Sequence, residues 1–174
     1  MSIHIIIDGY NIIRQSAQLS EIETQDIQLG REALIHMLIS YKKLKGHRIT
    51  VVFDGIDAPG DHNLSDRVGG IDVKYSRRGE SADAVIKRMA ASVREKALVV
   101  SSDRDIKSHS ESHGATAVDS TEFEEKVNMT MAFASDHFEA KKELDGWIPT
   151  TKKKGPRKRL PRKKRRAKSK INKL

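Results

Sequence analysis

Short apolar runs rich in β-branched residues recur along the chain, and each one stops at an aspartate. Ile3–Ile7 stops at Asp8-Gly9, Ile49–Phe53 at Asp54-Gly55, Ala97–Val100 at Ser101-Ser102-Asp103 and Ala115–Val118 at Asp119. Between these runs the apolar residues fall at helical intervals. Ile27, Ala33, Leu34, Met37, Leu38, Tyr41 and Leu44 share a face from about Thr24 to Lys45, with Gly46 as the stop. Ala82, Val85, Ile86, Met89, Ala90 and Val93 form a second stripe beginning near Ser81. A short helix is expected from Asp103 to His113, and Phe123, Val127, Met131, Ala134 and Phe138 mark a last one. Ile71–Tyr75 reads as an edge-like strand, and Ile56–Gly70, with Pro59 and several glycines, as loop. Strand–helix alternation of this kind predicts an α/β fold. The expected architecture is a three-layer, Rossmann-like sandwich around a mainly parallel sheet with right-handed crossovers.

Charge divides the chain. There are 33 Lys+Arg and 24 Asp+Glu, a net +9, but Thr151–Leu174 holds 14 Lys+Arg and no acid, which leaves residues 1–150 at −5. The basic blocks are Lys152, Lys153 and Lys154, then Arg157, Lys158 and Arg159, then Arg162, Lys163, Lys164, Arg165 and Arg166. The stretch has no aromatic residue and little apolar content beyond Leu160, Ile171 and Leu174, so disorder is expected until a partner binds. Lys and Arg without aromatic interleaving favour phosphate contacts over base stacking, and hence salt-sensitive binding to a polyanion. The domain expectation is a body over 1–138, a connector over 139–150 and a disordered tail over 151–174. With no cysteine, a disulfide scaffold and thiolate zinc are excluded. No apolar run approaches the roughly 20 residues of a membrane span, and the N-terminus lacks the pattern of a secretory signal. A soluble cytoplasmic protein without a membrane partner is expected. No GxxxxGK[ST] or GxGxxG occurs, so no nucleotide cofactor is expected.

Aspartate placement carries the chemistry. In a parallel sheet the carboxyl ends of the strands share one edge, where ligands bind. That edge would gather Asp8, Asp54 and Asp103, a helix start would bring Asp83, and Asp105 follows Asp103 by two residues. Two ionised carboxylates about 4 Å apart repel by roughly 4 kcal/mol at an effective dielectric of about 20. Either one group takes a proton or a divalent cation sits among them. Hard oxygen ligands without His or Cys suit Mg²⁺ or Mn²⁺, which activate water and stabilise an in-line displacement. Taken singly, an Asp at a strand end or helix start is ordinary turn and cap chemistry.

Asp8-Gly9-Tyr10-Asn11, Val52-Phe53-Asp54-Gly55, Gly79-Glu80-Ser81-Ala82-Asp83 and Val99-Val100-Ser101-Ser102-Asp103 occur in that order. Together they resemble the NYN domain, in its YacP-like branch, within the PIN-like nuclease superfamily, over about residues 1–138. The resemblance implies a PIN-like fold and a metal-dependent endoribonuclease with its ion at the carboxyl edge. It assigns Asp8, Asp83 and Asp103 to metal binding, Asp54 to the acid after the second strand, and Asn11 to orienting a ligand or water. Asp105 is a further ligand candidate. Ala84 stands where a second acid often follows in this branch, and the basic tail lies outside the domain pattern. Charge and resemblance together point to RNA, either mRNA or rRNA, and to the ribosome as partners. Two other readings stay open: a non-catalytic RNA- or ribosome-binding factor, and a structure-specific DNA nuclease.

Arg77 and Arg78 precede the Asp83 helix and are candidates for holding a phosphate bidentately. His109 and His113 have i,i+4 metal-ligand spacing, but lack a third ligand nearby. Thr121 and Glu124 fit a capping box, and Trp147 is expected to anchor the chain before the tail departs.

Overall fold

The computed structural model describes residues 3–55, 64–140 and 161–174. Along these the chain forms β1 (His4–Asp8), α1 (Gly9–Gln15), α2 (Ala17–Gln25), α3 (Ile27–Lys45), β2 (Arg48–Phe53), β3 (Ser65–Val68) and β4 (Ile71–Tyr75). It continues through α4 (Ala82–Val93), a 3₁₀ turn (Arg94–Lys96), β5 (Ala97–Val100), α5 (Arg104–Ser112), β6 (Thr116–Val118), α6 (Ser120–Ala140) and α7 (Arg162–Ile171). The strands form one sheet in the order β3-β4-β2-β1-β5-β6. Every pairing is parallel except that of β3 with β4.

β1 is buried along its whole length because helices cover both sides of the sheet centre. Its side chains alternate between the two layers. Ile5 and Ile7 join the larger core cluster with Ile12, Leu34, Leu38, Tyr41, Phe123 and Val127 from α1, α3 and α6. Ile6 joins the smaller one with Val85, Ile86 and Ala90 of α4 and Ile106 of α5. The expected three-layer α/β sandwich is the fold observed.

Three elements differ from the sequence reading, each for a local reason. β3 lies in the segment expected to be loop. All four of its residues are exposed, so hydrophobic alternation cannot reveal it. It forms because Gly69 (φ 56°) and Gly70 (φ 85°) make a two-residue left-handed turn that folds it back onto β4. β4 is therefore not an edge strand. The single helix expected from Thr24 is divided at Asp26, whose carboxylate caps α3 by accepting from Gln28 N (2.6 Å) and Leu29 N (3.2 Å). Ahead of it, α1 and α2 are too short to show a clear period. Side-chain caps define them: Asp8 begins α1, and Ser16 ends α1 and begins α2.

Disorder is not what is found at residues 161–174. α7 packs on the body, with Ile171 against the larger core cluster and Leu174 inside it, 4% exposed. Leu174 O accepts from Tyr41 Oη (2.9 Å) and Thr130 Oγ1 (3.3 Å), and Lys173 O bonds His47 Nε2 (3.2 Å). The average composition of the tail hides the fact that its last two apolar residues, three apart, share one side. Residues 141–160 lie outside the described residues, including Trp147, Lys152, Lys153, Lys154, Arg157, Lys158 and Arg159. Among the described residues no helix is long and apolar enough to cross a membrane.

Candidate active-site cleft

Parallel pairing aligns the carboxyl ends of β1, β2 and β5, with Asp8 opposite Val52 and Ile7 opposite Val100. At that edge a cleft of about 250 Å³ is lined by Asp8, Tyr10, Asn11, Arg14, Gln15, Asp54, Asp83 and Asp103. The convergence expected for four of the aspartates is therefore present.

Each aspartate is held by the elements it joins. Asp8 Oδ1 accepts the N–H of Asn11 (3.3 Å) as the N-cap of α1, and its Oδ2 accepts from Ser101 Oγ (3.1 Å). Asp103 caps α5 through Oδ1, accepting from Asp105 N (2.7 Å) and Ile106 N (3.0 Å). Asp54 works across the fold: its Oδ1 accepts the N–H of Ala82 (2.9 Å), tying the end of β2 to the start of α4. Asp83 rides in the first turn of that helix, which Ser81 caps. The two Asp-Gly pairs have a steric cause. A Cβ on Gly9 would stand 2.2 Å from the Phe53 ring, and one on Gly55 would stand 1.9 Å from Ser76 O. Only glycine lets these strand ends close up.

Crowding shows in the proton affinities. Asp8 is buried and its carboxyl is raised from 3.8 to about 6. Burial is the main cause, with the charges of Asp83 and Asp54 adding to it against the bonds from Asn11 and Ser101. Asp83 is also raised, by burial first and then by Asp103, while Lys87 opposes. Asp105 does not join this group. It lies two residues past the cap of α5, about 200° around a helix of 3.6 residues per turn. There it is exposed and ion-paired with Lys87, which lowers its carboxyl.

Asn11 lines the cleft, but its carbonyl is committed. Oδ1 accepts from Ser102 N (2.9 Å) and Ser120 Oγ (2.7 Å), which locks α1 to the ends of β5 and β6. The sequence reading passed over Tyr10, Arg14 and Gln15, which reach the cleft on α1, and Ser101, Ser102 and Ser120 behind it. Recognising Asp8 as an N-cap would have revealed α1 and placed Asn11, Arg14 and Gln15 one turn apart on one side. Arg14 lies over the Tyr10 ring (5.3 Å to its centroid) and pairs with Glu23 (3.8 Å). Arg77 and Arg78 are exposed in the connection before α4 and do not line the cleft. The rings of His109, half-buried in α5, and His113, exposed just after it, lie 4.3 Å apart and tilted by 30°. Glu124 accepts from Ser16 instead of closing a capping box.

The donor set is that of a hard cation: carboxylate oxygens with no competing His or Cys. Asp54 and Asp103 each keep a second oxygen with no hydrogen bond among the described residues. The acids surround a cleft and do not meet at a point. Among the described residues no three of His, Asp or Glu stand close enough to hold one ion as they are placed.

A family model described as the YacP-like NYN domain matches residues 5–172. The uncharacterized protein YacP of Bacillus subtilis (strain 168) is 28% identical over 86 residues, 49% of this chain and 50% of that relative. The chain thus spans about half the length of the curated relative it matches. A crystal structure of Rae1 (YacP) from Bacillus subtilis, in a mutant form, has a TM-score of 0.67 at 22% identity and covers 83% of this chain and 87% of its own. A second Rae1 (YacP) structure has a TM-score of 0.67 at 24% identity and 80% coverage of both chains. At these identities the likeness concerns the fold. The family match extends from β1 into α7, and the chain belongs to the family of YacP-like NYN domains.

Proposed function

We propose that this protein is a divalent-metal-dependent endoribonuclease that hydrolyses RNA phosphodiester bonds in the cleft at the carboxyl edge. One observation carries the reading: Asp8, Asp54, Asp83 and Asp103 come from separate elements and line one cleft, where Asp8 and Asp83 resist ionisation. Membership of an NYN family supports a nuclease or RNA-related role. Asp8, Asp83 and Asp103, with Asp54 beside them, would have to draw closer together than they stand here to hold Mg²⁺ or Mn²⁺. Such an ion, when bound, supplies a water of lowered pKa and stabilises the charge of an in-line displacement. The chain's own residues do the rest. Asn11 and Ser101 fix the position of Asp8, and the Ala82 N–H fixes Asp54. Arg14 at the cleft offers a guanidinium to the phosphate being cut. Arg77 and Arg78 offer the same to a flanking phosphate, and the basic residues beyond Thr151 recruit RNA or a ribonucleoprotein such as the ribosome.

The test is cleavage of a long single-stranded RNA labelled at its 5′ end, by wild type and Asp8→Asn, with Mg²⁺, Mn²⁺ or EDTA. Discrete internal fragments from wild type with metal alone are expected. Cleavage by purified Asp8→Asn would sink the assignment, and a DNA strand run alongside would reveal a DNA nuclease. Ala84 and the spread of the acids favour a second reading, a non-catalytic RNA- or ribosome-binding factor. It predicts salt-dependent binding that chelator does not alter and no product in any lane.

A further inference from the structure

The position of α7 places its basic residues at the edge of the sheet opposite the acidic cleft. Lys170 Nζ donates to Ala97 O (3.3 Å), Arg166 pairs with Glu95 (2.6 Å) and His47 bonds Lys173 O. Ala97 begins β5 and His47 precedes β2, so α7 sits at the amino edge of the sheet. The cleft lies at the carboxyl edge, at least one strand away. β1 alone has five residues, about 17 Å at about 3.3 Å per residue.

This helix is assembled against its own electrostatics. No acid occupies its first turn and Pro161 provides no side-chain cap, so cations near its start oppose the helix dipole, while Lys168 and Lys170 in its last turn favour it. Lys164 with Lys168 and Arg166 with Lys170 are like-charged neighbours one turn apart. The core contacts of Ile171 and Leu174 nevertheless hold it against the body. Lys164, Arg165 and Lys168 form one exposed stripe along α7, and the exposed Arg94 and Lys96 flank Glu95 beside it. A polyanion relieves this repulsion. A stiff, convex array without aromatic side chains suits phosphates that are already ordered, as on an A-form double helix, and gives a splayed single strand nothing to stack on.

We infer that α7 and the cations beside it form a second, fixed interface that grips the phosphate backbone of double-helical RNA, leaving the opposite cleft free to act on a different, single-stranded segment. The roles of the two edges rest on the ribonuclease reading, but the interface itself does not.

The test is binding of the full chain to a 20-base-pair RNA duplex, the matching DNA duplex and one 20-nucleotide RNA strand, all in EDTA, between 50 and 200 mM salt. The variant Lys164→Ala/Arg165→Ala/Lys168→Ala removes three exposed cations. At about 0.9 per phosphate contact its log–log salt slope falls by about 2.7, so its loss of affinity over that range is about 40-fold smaller than that of wild type. Leu174→Ser keeps every charge and releases the helix from the core, and duplex affinity is expected to fall with it. Circular dichroism checks that both variants fold. An unchanged slope in the triple variant overturns the proposal. So does wild-type affinity in folded Leu174→Ser, which would mean a charged tail needing no fixed geometry. Tighter binding of the single strand, or equal binding of the DNA duplex, overturns the assignment to double-helical RNA. Because the readout is binding without metal, failure of the cleavage assay leaves this result standing, and the reverse also holds.

Discussion

Replacing Asp8 by asparagine should abolish the proposed cleavage and make the metal-free protein more stable. The Asp8 carboxyl is raised from 3.8 to about 6 in the fold. The folded state therefore holds the proton more tightly than the unfolded chain, and ionised Asp8 costs stability. The cost is absent below about pH 3.8 and complete above about pH 6. At 1.36 kcal/mol per pH unit it amounts to about 3 kcal/mol. Asparagine removes the charge and remains a good N-cap, so the bond from the Asn11 N–H survives. The Ser101 hydroxyl, which donates to Oδ2, loses its acceptor unless it turns to accept from the amide, an offset of about 1 kcal/mol. A net gain of about 2 kcal/mol raises the melting temperature of a chain this size by about 4–8 °C. The assay is differential scanning calorimetry of wild type and Asp8→Asn in EDTA, at pH 7.5 and pH 4. The gain should appear at pH 7.5 and vanish at pH 4, and added Mg²⁺ should stabilise wild type more than the variant. An unchanged or lowered melting temperature at pH 7.5, or an equal gain at both pH values, would refute the reasoning.

Other expectations follow from single contacts. Burial, with Arg48 adding, lowers His4 from 6.5 to about 4 while its Nε2 bonds Thr50 Oγ1 (2.8 Å). Its contribution is complete above pH 6.5 and lost as pH falls toward 4, about 3 kcal/mol at most. Asp8 works in the opposite sense over nearly the same window, so urea unfolding of Asp8→Asn between pH 4 and 7 should show a steeper loss toward acid than wild type. Asn11→Ala orphans Ser102 N and Ser120 Oγ and should cost about 1–3 kcal/mol by chemical denaturation, together with most of any cleavage. Gly55→Ala drives a methyl into Ser76 O and pulls Asp54 from Ala82, so a loss of about 1–3 kcal/mol is expected from the denaturant midpoint. Leu174→Ala should cost about 2–5 kcal/mol, whereas a solvated tail would register no change.

Much of this molecule was decided locally. Ile3–Ile7, Ile49–Phe53 and Ala97–Val100 are strands because apolar β-branched runs of that length, bounded by helical stripes, have one good solution, a sheet covered on both sides. The aspartates that close those runs were legible for the same reason, since the turn from strand to helix calls for a cap acceptor and the cap becomes part of the site. Elements built on caps or turns with no apolar period stayed hidden: α1, divided from α2 at Ser16, and β3, whose exposed residues are ordered only by pairing with β4. Distance along the chain hid more. Asp54 reaches the start of α4 and Asn11 joins the ends of β5 and β6, contacts that exist only once strand order is set. Composition could not show that Ile171 and Leu174 find a prepared core. A few buried side chains hold a helix that its charges disfavour only because that core is already in place. The sequence alone determined the apolar strands, their capping acids and the edge where those acids end. Tertiary structure decided which acids share the cleft, how far Asp8 is driven toward neutrality and where the basic helix stands, because burial, Coulomb energy and packing depend on neighbours that only the closed fold provides.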